Sequence, residues 1–89
     1  MSDPQSEMDA AMEEARRAGQ KEHEAVEALR VRQHEYETAK LRGRQRQIER
    51  ARAALETAQA AYEAAKRDAQ RLADQAEEVV QAQIRAAYM

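Results

Sequence analysis

The chain of 89 residues contains no cysteine, phenylalanine, tryptophan or asparagine, and it has only one proline and two glycines. Without cysteine there is no disulfide framework, no thiolate metal site and no cysteine nucleophile. With three tyrosines as the only aromatics, little bulk is left to fill a core. The scarcity of Gly, Pro and Asn removes most turn chemistry and with it the strand-rich folds. No apolar run approaches the roughly 20 residues that cross a bilayer. The first fourteen residues are acidic and lack the basic and apolar regions of a secretory signal, so the expected location is the cytoplasm.

What remains is mostly alanine and charge. Alanine supplies 21 residues of the 43% hydrophobic fraction, against four Met, four Leu, four Val and two Ile. Charged residues make up 36% and the mean hydropathy is -1.01. Backbone ordering costs roughly 1 to 2 kcal/mol per residue, and alanine methyls return little at about 25 cal/mol per Å². A conventional single core is therefore not expected. Ala, Glu, Gln, Arg and Lys are the strongest helix formers, so the expected fold is all-α and helical nearly throughout.

Ser2-Asp3-Pro4 reads as a helix start, with Asp3 as cap and Pro4 at the first helical position, where the missing amide hydrogen costs nothing. Ser6 to Asp9 offers a second start. The expected organisation is a cap or tail over 1–5, a first helix over 6–41, a basic turn or register slip over 42–46, and a second helix over 47–88.

The apolar positions then decide the kind of helix, because a coiled-coil seam alternates steps of three and four. In the second half Ile48, Ala51, Leu55, Ala58, Tyr62, Ala65, Ala69, Leu72, Ala76 and Val79 fit without a break, and Gln83 and Ala86 continue the series. In the first half Met8, Met12, Val26, Leu29 and Tyr36 give a poorer seam that also runs through Gly19, Glu22, Gln33 and Lys40. The two registers disagree by one residue around 37–43. A pattern around Ala28-Leu29, Gln33 and Tyr36-Glu37 recurs 26 residues later at Ala54-Leu55, Gln59 and Tyr62-Glu63. Two architectures follow: one continuous helix of roughly 125 Å, or an antiparallel hairpin of about 60 to 70 Å turning at Gly43. The seam is thin for two helices, so self-association through it is expected in either.

The net charge of -2 conceals a basic middle. Residues 1–28 carry three bases and eight acids, residues 29–52 eight bases and three acids, and residues 53–89 four bases and six acids. Lys40, Arg42, Arg44, Arg46, Arg50 and Arg52 form the main candidate contact, with the acidic first third of the same chain, another copy or another acidic protein. These residues are also able to neutralise several phosphates of a nucleic acid. A basic segment followed by heptads has the order of a basic zipper, but that class reads bases with Asn and repeats Leu along one seam position, and this chain does neither. Its sequence pI of about 5.7 opposes general polyanion binding.

His23 and His34 stand eleven residues apart without converging ligands, so no metal is expected. No nucleophile, base and orienting group share a telling spacing, and no Gly-rich phosphate loop is present. The expected function is accordingly non-enzymatic and cofactor-free. It is protein–protein interaction, as an oligomeric scaffold, adaptor, assembly factor or protein inhibitor. A small nucleic-acid binder and a subunit that folds fully only on its partner are the alternatives.

Overall fold

Helix formation begins where the cap chemistry places it. In a computed structural model that describes residues 3–88, the Asp3 side chain accepts a hydrogen bond of 3.2 Å from the Gln5 amide, and Pro4 opens the first helix. Helix α1 runs Pro4–Arg42 and helix α2 runs Gln45–Ala87. The first helix thus starts two residues ahead of the expected 6, because Asp3 rather than Ser6 supplies the cap. The connection is shorter than 42–46 and consists of Gly43 and Arg44 alone.

Gly43 makes that short connection. Its backbone sits at φ 70 and ψ 13, in the left-handed region that costs an L-residue with a Cβ about 1 to 2 kcal/mol. In that conformation its amide donates to the carbonyls of Ala39 and Lys40 at 3.1 and 3.2 Å, closing the end of α1. Arg44 is extended, and its carbonyl accepts the first bond of α2 from the Ile48 amide at 3.0 Å. The chain therefore folds back as an antiparallel helical hairpin, and the continuous-helix alternative is not what it forms.

The hairpin is a rod with principal extents of 67 × 16 × 15 Å. It exposes 7064 Å², whereas a compact protein of 10.1 kDa exposes about 5,300 Å². Only Ala18 and Ala39 are buried among the described residues, and no large side chain is fully enclosed. All ten of the expected α2 seam positions from Ile48 to Val79 are half-buried. They pack against α1 of the same chain, so the seam is used within the hairpin.

On α1 the inward positions are Met8, Ala11, Ala15, Ala18, Glu22, Ala25, Leu29, Tyr36 and Ala39. Half of the expected register holds that line: Met8, Leu29 and Tyr36 are half-buried. The other half shifts by one residue toward the N-terminus. Met12 is 56% exposed, and Val26, although half-buried, lies beside the seam residue Ala25. Ala11 shares a surface cleft with Val79, Ala18 with Leu72 and Ala39 with Ala51. The same register sets Leu29 level with Tyr62 and Tyr36 level with Leu55. The physical reason is approach distance: alanine on α1 lets the larger residues of α2 come close, and a Met12 or Val26 seam would hold the helices apart.

Candidate interaction surface

The fold-back gathers the basic residues. Lys40 and Arg42 end α1, Arg44 is the connection, and Arg46, Arg50 and Arg52 occupy the first two turns of α2. All six side chains are exposed. Between residues 38 and 55 the only acid is Glu49, so the closed end of the rod carries a net +5. The acidic first third lies at the other end. Residues 3–20 and 70–88 together hold eight acids and four bases, a net -4, and the stretch between the ends is -3. Antiparallel folding has turned an alternating charge pattern into a rod with one positive end.

Among the described residues, pairing within the chain neutralises Lys40 at that end but none of its arginines. Every ion pair between described residues joins neighbours three or four apart on one helix, such as Arg32 with Glu35 at 2.8 Å and Lys40 with Glu37 at 3.2 Å. None bridges α1 and α2, and Arg42, Arg44, Arg46 and Arg50 have no carboxylate within ion-pair distance among the described residues. The acidic first third is too far along the rod to reach them. At the open end the Glu13 carboxyl is held down to about 2 from its ordinary 4.5. The chief cause is the Arg16 hydrogen bond, with Arg17 adding to it and partial loss of solvent working against both.

Among the described residues one side-chain hydrogen bond spans the hairpin. The Arg52 guanidinium donates to the Tyr36 hydroxyl at 3.2 Å, which raises the Arg52 pKa above its already high ordinary value. The same tyrosine ring lies 4.8 Å from the Lys40 ammonium and 5.9 Å from the Arg52 guanidinium carbon, so its π face draws two cations together. Tyr36 thereby anchors the base of the cationic end.

The helix termini reinforce the positive field. Helix α2 starts at Arg44 with no side-chain cap and no acid in its first turn, leaving the positive end of its dipole among arginines. Between Lys40 and Arg42 stands Leu41, 90% exposed, the most exposed large apolar residue of the described chain. Leu41 is in phase with the second-half seam, yet it stands outside it, and its signal in the sequence is local: an apolar side chain set among basic ones beside the break at Gly43.

The remaining candidates stay apart. His23 and His34 are exposed on α1, and among the described residues no three His, Cys, Asp or Glu come together as a metal site would require. Tyr62 is half-buried in the seam, and Tyr88 is 88% exposed at the end of α2. No described helix is long and apolar enough to cross a membrane. Comparison with protein-family models, curated proteins and solved structures gave no match.

Proposed function

We propose that the protein works without catalysis, as an interaction module that presents the closed end of its hairpin to an acidic surface on another protein. The observation that carries this reading is Leu41, 90% exposed at the closed end and set in sequence among Lys40, Arg42, Arg44 and Arg46. An exposed apolar residue within a basic segment suits an apolar pocket bordered by carboxylates, with the hydrophobic contact supplying affinity and the charges supplying steering and orientation. The role falls in the class of adaptors, scaffolds, assembly factors and protein inhibitors.

A second reading, nucleic-acid binding, draws on the five guanidinium groups of the closed end that form no ion pair among the described residues. It uses the charges and has no use for Leu41. The two separate in one experiment, in which fluorescence anisotropy is read with a Glu/Leu-rich acidic peptide and with a DNA duplex as probes. Protein recognition predicts that Leu41→Ser and the combined Arg42→Gln, Arg44→Gln and Arg46→Gln variant each weaken peptide binding about tenfold or more with unchanged helicity. Nucleic-acid binding predicts tight, steeply salt-dependent duplex binding that Leu41→Ser leaves alone. Peptide binding insensitive to both variants would refute the proposal.

A further inference from the structure

The two long sides of the rod differ. On one side the clefts between the helices are bordered by Glu14, Lys21, Asp68 and Gln75. On the other, Ala15 and Gly19 of α1 meet Ala69 and Ala73 of α2, with Glu22, Lys66 and Gln70 at the border. One heptad outward on the same helix faces stand Met12, 56% exposed, and Val80, half-buried. Ile84, four residues beyond Val80 and 45% exposed, extends that face toward the open end, and Val26 extends it toward the middle. This side carries large apolar residues that the seam does not use, beside a stretch where Gly19 leaves open space: a Cβ built there meets nothing within 4 Å.

We propose that this side is covered by a second copy of the chain, packed antiparallel to form a four-helix assembly. Three observations select that occupant. The face can meet itself, because a two-fold axis near Gly19 sets the low ground at Gly19 and Ala73 of the two copies together and brings Met12 of each opposite Val26 of the other. The area suffices: with the axis near Gly19, 15 residues from the start of α1, the copies overlap over about 45 Å, and a strip about 12 Å wide covers about 540 Å² per copy, about 1,080 Å² in total, which clears the roughly 1,000 Å² of a specific interface. The charge chooses the direction. Parallel pairing would stack two closed ends of net +5, whereas antiparallel pairing turns each toward the acidic end of its neighbour. This surface is separate from Leu41 and the arginines of the closed end, so each proposal stands or falls without the other.

Sedimentation equilibrium of the full chain tests it, with a mass near twice 10.1 kDa expected. Gly19→Leu is the decisive variant. The open space at residue 19 lets the hairpin accept it, leucine favours the helix, and the added side chain fills the hollow that the second copy needs. It should return the mass to one chain while helicity by circular dichroism holds or rises, and Val80→Glu should do the same. Because the chain has no cysteine, a single introduced thiol reports orientation. Oxidised Ala73→Cys should form a covalent dimer and Arg44→Cys should not. A one-chain mass from micromolar to millimolar concentration would overturn the proposal, as would a Gly19→Leu dimer as tight as the parent. Efficient cross-linking of Arg44→Cys would overturn the antiparallel arrangement.

Discussion

Replacing Gly43 by alanine tests what holds the hairpin closed. No heavy atom lies within 4 Å of a Cβ placed at Gly43, so the substitution meets no clash and its cost is purely conformational. Holding alanine at φ 70 costs about 1 to 2 kcal/mol. In the opened chain, where residue 43 would sit inside a continuous helix, alanine instead gains about 1 kcal/mol over glycine. The balance shifts toward the open form by about 2 to 3 kcal/mol per chain. An open chain recovers its seam by pairing with another open chain, α1 of each on α2 of the other, so the shift amounts to about 4 to 6 kcal/mol per exchanged pair. Opposing it is the advantage of closing within one chain, an effective concentration in the millimolar range for a short connection. At about 0.1 mM protein that advantage is roughly tenfold, about 1.4 kcal/mol. The exchanged form should therefore dominate. Small-angle scattering would then show a maximum dimension near 125 Å, against the 67 Å length of the hairpin. An unchanged dimension together with an unchanged melting temperature would refute the assignment of Gly43 as the element that decides the fold-back.

Further outcomes follow from the seam and the ion pairs. Ala18→Leu, at a position only 4% exposed, should overpack the interface and lower stability by about 1 to 3 kcal/mol in urea titration, whereas Ala60→Leu on the exposed side of α2 should leave it unchanged. Equal effects would contradict the assigned register. Because the Glu13 carboxyl is depressed to about 2 from 4.5, its contribution is present above about 4.5 and is lost as pH falls toward 2. Glu13→Gln should flatten the stability profile in that window only, and a midpoint near 4.5 for Glu13 by NMR titration would remove the basis. Tyr36→Phe, which deletes the hydrogen bond from Arg52 across the helices, should cost at most about 1 kcal/mol by thermal melting, and Tyr36→Ala distinctly more because both cations lose the ring. Identical melting of the two variants would show that the ring does not matter.

The sequence by itself determined everything that a period of seven and local chemistry can carry. Alanine and charge with almost no breakers require helix; Asp3 and Pro4 start it; Gly43 is the one break; and the run from Ile48 to Val79 is the inward line of α2. Those are properties of one helix and its ends, written in residue type and spacing. The seam of α1 was legible in principle, since alanine recurs at 11, 18, 25 and 39 with only Arg32 interrupting. Large residues at 12 and 26 gave the stronger signal because burial of bulk is the usual mark of a seam. Choosing between the two lines depends on how near the second helix comes, and that distance exists only once α2 lies against α1. The same holds for the surfaces. Met12 shares a face with Val80, and Tyr36 meets Arg52, only because the fold-back brings chain segments from both sides of Gly43 together. Which residues would be inward on α2 was a matter of sequence period. Which would be left outward, and beside what, was decided by the antiparallel packing of two helices.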